Sequence, residues 1–222
     1  IPTSKRAYSI SVVNSNNVYV SCDSNTIIKT VNGGSSWNIL TTPTVTTTEN
    51  VRWQMNFIDA NTGWISTTRS SATQKTFKTT NGGSSWVLAN ASIGVYGFVF
   101  FDNNNGYGIN SSYSLLKTTN SGSTWSSILN DSLIYSISFL DVNTGWAFTS
   151  RSYYFPNIKG KSYKTTNGGQ TWNLQYSNDT TYTTPYNVKF FDSQTGYASN
   201  SYSPSSIIKT TNGGINWFNP TN

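Results

Sequence analysis

Histidine is absent from this chain of 222 residues, and cysteine and methionine occur once each. The absence of histidine removes the commonest general base and metal ligand. A single cysteine excludes an intrachain disulfide, and the position of Cys22 beside an apolar strand predicts a small buried filler. We therefore predict no cofactor and no bound metal.

Long apolar runs are also missing. No stretch of 18 or more apolar residues is present, so no membrane insertion is predicted. Residues 1–10 lack the pattern of a secretory signal peptide, and we expect any export signal to have been removed or omitted. Charged residues make up only 10% of a chain rich in Ser, Thr and Asn. We interpret this as an exposed β-rich surface and expect an extracellular or cell-surface location.

An internal repeat is what the chain has in abundance. A nine-residue segment, here called the box, occurs five times: at 29–37 (KTVNGGSSW), 78–86 (KTTNGGSSW), 117–125 (KTTNSGSTW), 164–172 (KTTNGGQTW) and 209–217 (KTTNGGINW). A period of about 40–50 residues is typical of repeat architectures, in which one unit cannot bury its core alone. The residues interpreted as structural in the box are Asn32, Gly34, Trp37, Asn81, Gly83, Trp86, Asn120, Gly122, Trp125, Asn167, Gly169, Trp172, Asn212, Gly214 and Trp217.

A second segment, here called the aspartate phrase, precedes each box. It reads FIDANTGW at 57–64, FFDNNNGY at 100–107, FLDVNTGW at 139–146 and FFDSQTGY at 190–197, with a degenerate VVNSNNVY at 12–19. The two segments divide each unit into four extended stretches, in the second unit 51–58, 63–68, 76–80 and 85–89. These stretches alternate apolar with polar residues and no helical period occurs, so the chain is predicted to be all-β.

Both segments contain the residues that tight turns require. Gly adopts positive φ freely, and Asn tolerates it while its side chain bonds nearby backbone N–H groups. The Asp of the aspartate phrase is predicted to cap its own turn, with the following Gly completing that turn. The Trp of the box is predicted to be a core anchor. We interpret both segments as structural corners and not as ligand sites.

The box, Thr30-x-Asn32-x-Gly34-x-Ser36-Trp37 and its four equivalents, resembles the Asp-box, or bacterial neuraminidase repeat. In that family the motif joins strands three and four of a β-propeller blade, in sialidases, xyloglucanase-type glycosidases, sortilin-like receptors and photosystem II assembly factors. The resemblance implies one β-propeller domain, 1–222, of five four-stranded antiparallel blades, with units at about 7–40, 50–89, 93–129, 133–175 and 185–218. Asn replaces the family's Asp in every box, which argues against an acidic or cation-binding use of the motif.

The acidic residues are few, and half of them are interpreted as turn residues, which argues against catalysis. Of the eight, four belong to aspartate phrases, which leaves Asp23, Glu49, Asp131 and Asp179. A glycosidase needs two carboxylates that face one another across the scissile bond, and Glu49 with Asp179 is the pair retained as an alternative. Sialidase-type relatives use an arginine triad and a Tyr nucleophile paired with Glu, whereas this chain has one Glu and four scattered Arg. We predict no enzymatic activity.

The net charge of +6 does not indicate a nucleic-acid partner. Half of the lysines belong to the boxes and are spread over the repeats, and the chain has no basic run or arginine cluster. Each box lysine is expected to lie over the aromatic side chains of its own unit, with its ammonium group in water. The box lysines are Lys29, Lys78, Lys117, Lys164 and Lys209.

The propeller topology that the resemblance implies gives two faces of different character, because the turns joining strands one to two and three to four open on the same face. The two repeated segments lie on one face, here called the turn face. The opposite face, here called the variable face, is formed by connections that differ in length and content, and recognition usually resides in such loops. Its longest loop, 150–162, combines aromatic platforms with cationic donors, although Tyr153 to Phe155 could equally anchor the loop. The candidate binding residues are Arg69, Arg151, Tyr153, Tyr154, Phe155, Lys159, Lys161, Tyr182 and Tyr202.

One further aromatic position recurs four residues before each aspartate phrase. We interpret these residues as packing between blades: Tyr8, Trp53, Tyr96, Tyr135 and Tyr186. The residues that alternate with these aromatic positions along the strand are mostly small and polar, and we expect them to line or approach the central channel of the propeller. Among them are Ser9, Ser11, Gln54, Asn56, Ser136, Ser138 and Asn187.

The functional expectation is a non-catalytic binding or structural module that recognises glycan or protein through the variable face. It would act as a monomer or as part of a larger, bacterial surface protein. Two alternatives stay open: a glycoside hydrolase-like enzyme, and a scaffold for membrane-complex assembly.

Overall fold

The computed structural model describes residues 4–44, 53–67, 75–90, 93–129, 131, 133–149, 160–178, 185–200 and 207–220. Every regular element in these ranges is a β-strand. Within the described residues there is no helix of the length and apolarity that a bilayer crossing requires.

The strands follow the repeats of the sequence. The first repeat contains β1 (Ala7–Val12), β2 (Val18–Cys22), β3 (Thr26–Thr30) and β4 (Asn38–Leu40), and the second contains β5 (Trp53–Phe57), β6 (Gly63–Thr67), β7 (Thr76–Thr79) and β8 (Val87–Asn90). The third contains β9 (Val95–Phe100), β10 (Gly106–Asn110), β11 (Leu115–Thr118) and β12 (Ser126–Leu129). The fourth contains β13 (Ile134–Phe139), β14 (Gly145–Thr149), β15 (Gly160–Thr165) and β16 (Asn173–Asn178), and the fifth contains β17 (Pro185–Phe190), β18 (Gly196–Asn200) and β19 (Ile207–Thr210).

Each repeat forms its own sheet, with its strands in chain order. The strands pair antiparallel, as in the second sheet, where Phe57 lies opposite Gly63 and Trp64 opposite Lys78. In the fifth sheet an antiparallel bridge between Lys209 and Phe218 stands at the position of the fourth strand. The predicted all-β class, with five four-stranded antiparallel sheets, is confirmed.

Residue contacts divide the chain into two compact units, and the predicted single domain of 1–222 stays a prediction. Unit 1 comprises Ile1–Ser111 with Thr118–Ser126, and unit 2 comprises Ser112–Lys117 with Ser127–Asn222. The core of unit 1 contains Tyr19, Ile27, Trp53, Met55, Phe57, Ile65 and Phe77. The core of unit 2 contains Trp146, Phe148, Val188, Phe190, Ala198 and Ile208.

Aromatic stacks join neighbouring sheets inside each unit. In unit 1, Trp64 of the second sheet lies on Phe100 of the third, with ring centroids 3.7 Å apart and planes within 2°. In unit 2, Trp146 of the fourth sheet lies on Phe190 of the fifth, at 3.7 Å and 1°. The rings of Trp64 and Trp146, each on the second strand of its sheet, are fully buried. These last residues of the aspartate phrases are therefore the core anchors of the fold.

The glycine of the aspartate phrase makes room for the phenylalanine that opens the phrase. A Cβ on Gly63 would lie 2.4 Å from the Phe57 ring. Gly63 is not among the positive-φ residues, because it begins β6. The prediction that this glycine completes the turn is therefore wrong. In the first repeat, Val12 and Val18 lie opposite each other at the positions of Phe57 and Gly63, so the phenylalanine and the glycine are replaced together.

The tryptophan of the box covers the core edge and is not a core anchor in most repeats. Trp86 packs edge-to-face on Phe57, with centroids 6.0 Å apart and planes at 78°. Only Trp125 of the five box tryptophans is buried, and the other four are half-buried. The predicted core-anchor role therefore holds for Trp125 alone. Cys22, predicted as a buried filler, is buried, and burial raises the pKa of its thiol.

Candidate functional site

The turn face brings the two repeated segments together. In the second repeat, the N–H of Gly82 in the box donates to the carbonyl of Asn61 in the aspartate phrase, at 2.8 Å. The same bond recurs in the other four repeats, with Ser121 in the place of the glycine in the third. The prediction that both segments share one face is confirmed.

The polar atoms of the box are used inside its own turn. Asn81 Oδ1 accepts hydrogen bonds from the N–H of Ser85 and the hydroxyl of Thr79, both at 2.9 Å. Asn81 Nδ2 donates to Ser85 Oγ at 2.8 Å, and Thr79 Oγ1 accepts the N–H of Gly83 at 2.9 Å. Gly82 and Gly83 have φ of 67° and 87°, which explains the two glycines. The contacts support a structural interpretation of the box.

The aspartates of the aspartate phrase cap their turns as predicted. Asp59 Oδ1 accepts the N–H groups of Asn61 and Thr62, both at 2.7 Å. Burial alone would raise the pKa of Asp59, but these two bonds together with a hydrogen bond from the Thr62 side chain outweigh it and lower the pKa. The pKa of Asp102 is lowered first by the side chain of Asn105 and then by two backbone N–H groups. These carboxylates are therefore turn elements held in the ionised form.

The box lysines lie over aromatic rings, as predicted, but their ammonium groups also contact protein. Lys78 Nζ is 4.9 Å from the centroid of Trp64, and Lys29, Lys164 and Lys209 take equivalent positions in their repeats. Lys29 Nζ donates to the Ala60 carbonyl of the next sheet at 3.1 Å. Burial lowers the pKa of Lys29 and Lys78. Lys29, Lys78 and Lys164 therefore join neighbouring sheets within a unit.

Polar residues of the first strands form bonds between sheets. Ser11 Oγ accepts the N–H of Phe57 at 2.8 Å, and Asn56 Oδ1 accepts the N–H of Phe100 at 2.8 Å. In unit 2, Ser138 Oγ accepts the N–H of Phe190 at 2.9 Å. The backbone of the next sheet holds the polar atoms of Ser11, Asn56 and Ser138, and the expectation that these residues line or approach the channel stays a prediction. Trp53 of β5 is fully buried, in agreement with its predicted packing role.

Most candidate residues of the variable face lie outside the described residues. Those are Arg69, Arg151, Tyr153, Tyr154, Phe155, Lys159, Tyr182 and Tyr202, together with the alternative pair Glu49 and Asp179. Lys161 is the candidate that the structure describes. Its surroundings in unit 2 are therefore the part of the predicted site that has a defined geometry.

Lys161 belongs to a charged and aromatic cluster. Its Nζ forms an ion pair with Asp131 Oδ2 at 2.9 Å, and the hydroxyl of Tyr163 donates to the same oxygen. The Lys161 backbone N–H donates to Thr149 Oγ1 at 2.8 Å. The hydrogen bond from Lys161 to Asp131 raises the pKa of Lys161. Burial, followed by the hydrogen bond that Tyr163 itself donates to Asp131, raises the pKa of Tyr163. The lysine thus stays cationic and the phenol stays protonated at neutral pH.

Two further tyrosines lie at the same end of the fourth sheet. The hydroxyl of Tyr135 donates to that of Tyr113 at 3.1 Å, with ring centroids 4.7 Å apart. The N–H of Ile134 donates to the Tyr113 carbonyl at 3.0 Å. Asp131 lies three residues before Ile134, where β13 begins, and Ile134 lies opposite Thr149 at the end of β14. Asp131, Lys161, Tyr163, Tyr113 and Tyr135 are here called the variable-face cluster.

The backbone of the cluster departs from ordinary geometry. Tyr113 and Leu133 have φ of 61° and 66°, the left-handed region that large side chains seldom adopt. Such strain tends to occur at functional sites, where the surroundings hold it in place. Sequence reasoning missed Asp131, Tyr113 and Tyr163 as members of the site. The sequence did contain a signal for Asp131. This acidic residue lies outside the aspartate phrases, and it and Lys161 belong to connections on the same face.

Unit 1 has a second feature of interest, an apolar cleft of about 530 Å³ on the first sheet. Its lining includes Tyr8, Ile10, Val20, Ile28 and Trp37, with Lys5 at its edge. No group of three or more potential metal ligands occurs within the described parts of the chain. The described residues therefore present two surfaces to explain, the variable-face cluster and the cleft.

Solved structures match the chain over nearly its whole length. YCF48 bound to a D1 peptide matches with a TM-score of 0.65 and 16% identity, over 100% of this chain and 84% of that one. A GH74 enzyme from Niastella koreensis gives 0.62 and 16% over 100% of this chain, and a prolyl endopeptidase gives 0.67 and 13% over 97%. The chain has the β-propeller fold. Each sheet is therefore a propeller blade, and the predicted architecture is supported.

These likenesses concern the fold, because identities are low. The chain spans 32% of the GH74 structure and 36% of the endopeptidase. No protein-family model matches the chain, and no curated protein matches it. The propeller is thus a scaffold whose function must be argued from its own residues.

Proposed function

We propose that this propeller is a non-catalytic binding module that recognises a protein partner through its variable face. The variable-face cluster carries the proposal, because it combines tyrosines, a lysine and an aspartate on strained backbone. Tyrosine is one of the residues enriched in protein-recognition hot spots. The likeness to a propeller bound to a peptide supports this choice over the glycan alternative.

The contrast between the two faces supports the same placement. On the turn face, the box and the aspartate phrase direct their polar side chains into their own turns or into the next blade. On the variable face, the connections differ from blade to blade in length and content. Rigid scaffolds with variable loops are the usual arrangement of binding proteins.

Two parts of the proposal concern origin and location. We propose that the box is an Asn-containing counterpart of the Asp-box, supported by its position between the third and fourth strands and by its Asn-centred hydrogen bonds. We also propose an extracellular or cell-surface location, supported by the low charge of the chain. Digestion by external protease on intact cells tests that location, and full protection of the protein would contradict it.

The binding proposal is tested by selecting a phage-displayed peptide library on the purified protein, with a glycan array in parallel. We expect enriched peptides whose affinity, measured by calorimetry, falls at least about tenfold in Tyr135→Ala and in Lys161→Ala. Phe191→Ala is the matched control, because Phe191 is an exposed aromatic residue on the turn face. Peptide binding that both cluster variants leave unchanged would remove the cluster from the site.

The alternatives give different results in the same experiments. Glycan-array signals without peptide enrichment, lost in the cluster variants, would change the partner class to glycan. The neighbouring GH74 fold makes a polysaccharide hydrolysis assay worthwhile. Product release that Glu49→Gln abolishes would overturn the non-catalytic proposal.

A further inference from the structure

The dipeptide Asn-Gly occurs five times in this chain, and it is the sequence in which asparagine deamidates most readily. In that reaction the backbone nitrogen of the next residue attacks the side-chain amide carbon, and a glycine there has no Cβ to obstruct the approach. The asparagines are Asn32, Asn81, Asn105, Asn167 and Asn212. Three of them stand in the same tetrapeptide, Thr-Asn-Gly-Gly, at 80–83, 166–169 and 211–214. Local sequence gives these three the same reactivity, so the fold decides which of them reacts.

The side-chain nitrogen of the asparagine donates a hydrogen bond in four of the five pairs. In the boxes the acceptor is the hydroxyl of the Ser or Thr four residues later, and in the aspartate phrase it is a carboxylate. The bonds, all at 2.8 Å, are Asn32 to Ser36, Asn81 to Ser85, Asn167 to Thr171 and Asn105 to Asp102. Each bond resists the rotation of the amide that the attack requires.

Asn212 in the fifth box lacks this bond. The residue four positions later is Asn216, which has no hydroxyl, and Asn212 Nδ2 donates to no described residue. Asn212 Oδ1 still accepts the hydroxyl of Thr210 and the N–H of Asn216, both at 3.0 Å. Asn167 Oδ1 accepts the equivalent two bonds, also at 3.0 Å. The hydrogen bonds of these two asparagines therefore differ at Nδ2.

The attacking nitrogen is held alike in the three identical tetrapeptides. The N–H of Gly213 donates to the Gln194 carbonyl at 2.8 Å, and the N–H groups of Gly82 and Gly168 donate to the equivalent carbonyls at 2.8 and 2.9 Å. This bond has to open before the nitrogen loses its proton and attacks, which slows the reaction similarly in each box. The difference at Nδ2 therefore selects Asn212.

We propose that Asn212 is a site of spontaneous deamidation in the folded protein. The Gly213 nitrogen forms a bond to Asn212 Cγ, and the bond from Cγ to Nδ2 breaks. Nδ2 leaves as ammonia, which carries the amide proton of Gly213. Water then opens the cyclic imide at either of its two carbonyls, and the product is aspartate or isoaspartate.

The aspartate product suits the turn in which it forms. Its carboxylate keeps the bonds from Thr210 and Asn216, and no Nδ2 donor is lost, because Asn212 Nδ2 had no acceptor among the described residues. The reaction lowers the net charge of the chain from +6 by one, on the turn face. The fifth box thereby acquires the acidic residue of the motif that it resembles.

Peptide mapping by mass spectrometry, after incubation of the purified chain at mildly alkaline pH, measures each site. We expect Asn212 to deamidate about three- to tenfold faster than Asn81 and Asn167, the factor that one hydrogen bond contributes. In concentrated urea the three sites should react at equal rates, because their tetrapeptides are identical. Equal rates in the folded chain would overturn the proposal.

Two substitutions exchange the hydrogen bond between boxes. Asn216→Ser supplies the missing hydroxyl and should slow Asn212 to the rate of Asn167. Ser85→Asn removes the acceptor of Asn81 and should raise the rate of Asn81 by the factor that separates Asn212 from Asn167. Both positions are exposed, so the fold should persist by circular dichroism.

The matched control is Ile215→Ser, which places a hydroxyl at the neighbouring exposed residue of the same box. It should leave the rate at Asn212 unchanged. Fast deamidation of Asn212 in Asn216→Ser, or slow deamidation of Asn81 in Ser85→Asn, would show that the Nδ2 bond does not set the rate and would contradict the proposal.

Discussion

Tyr19 and Phe57 stack face to face across two blades, with ring centroids 3.5 Å apart and planes 6° from parallel. Lys29 Nζ lies 5.0 Å from the Tyr19 centroid, and the Tyr19 hydroxyl donates to the Ala60 carbonyl that Lys29 also contacts. Burial, followed by the nearby Asp59, raises the pKa of Tyr19 to about 12. The joint between blades thus combines apolar stacking with a shared acceptor, and its parts recur along the chain.

Removing one such ring should cost much of the stability. Trp146→Ala deletes a buried ring that stacks on Phe190 and donates through Nε1 to the Gly213 carbonyl at 2.8 Å. We expect a loss of about 3–5 kcal/mol in the free energy of unfolding, measured by urea denaturation. Leu174→Ala, at a leucine that is 53% exposed, should stay within about 0.5 kcal/mol. Equal losses in the two variants would contradict the assigned role of the stack.

The Phe57 and Gly63 pair should behave as one packing unit. Gly63→Val alone should destabilise by about 1–3 kcal/mol, because any Cβ meets the Phe57 ring. Phe57→Val alone should also destabilise, because it leaves a cavity. The double variant reproduces the Val12 and Val18 pair of the first repeat. Its loss should be about 1–2 kcal/mol smaller than the sum of the single losses, and simple additivity in denaturation curves would argue against the coupling.

The box should tolerate Asp but not Ala at its Asn. In Asn81→Asp the carboxylate still accepts the N–H of Ser85 and the hydroxyl of Thr79, and the Ser85 hydroxyl can turn to donate to it. We expect unchanged or slightly higher stability. Asn81→Ala removes these acceptors and should cost about 1 kcal/mol. A large loss in Asn81→Asp by thermal denaturation would count against the proposed relationship to the Asp-box.

Stability should fall in acid through the aspartate phrases. The pKa values of Asp59, Asp102 and Asp192 are lower in the folded chain than in the unfolded chain, where Asp titrates near about 3.9. Between the folded and the unfolded pKa values, the unfolded state therefore binds more protons than the folded state. The stabilisation is complete above about pH 4 and is lost as the pH falls through the pKa values of the folded chain.

Neutral substitutions at these positions should flatten that dependence. The triple variant Asp59→Asn, Asp102→Asn and Asp192→Asn keeps the turn acceptors, as Asn14 does for the N–H groups of Asn16 and Asn17. Urea midpoints between pH 2 and 7 measure the effect. Comparison with Asp23→Asn, outside the aspartate phrases, separates the turns from the change in net charge. An acid slope identical to that of the unmodified chain would disprove the linkage.

Strand positions were largely predictable, because turn chemistry is local. In the second repeat, the predicted stretches 63–68 and 76–80 correspond to Gly63–Thr67 and Thr76–Thr79. The stretch predicted at 85–89 is Val87–Asn90, because the box turn continues to its tryptophan. The capping role of Asp59 followed from the same local logic, since its partners are two and three residues away.

The core and the site were less predictable, because they depend on partners far along the chain. Ser11 meets the backbone 46 residues away, and Lys161 reaches Asp131 across 30 residues. No local pattern distinguishes a serine that faces a channel from one that accepts the N–H of the next strand. Local sequence likewise predicts that the box tryptophan is the core anchor, whereas the structure buries the aromatic residue that ends the aspartate phrase, as at Trp64 and Trp146.

The five-unit, all-β repeat with its two kinds of turn could be predicted from the order of residues alone, because hairpin turns depend on a few adjacent residues. Tertiary structure decided which aromatic rings join the blades, which polar groups the next blade uses, and where Lys161 finds its carboxylate. These depend on the packing of one sheet against another, where the faces of strands about 40–50 residues apart must match.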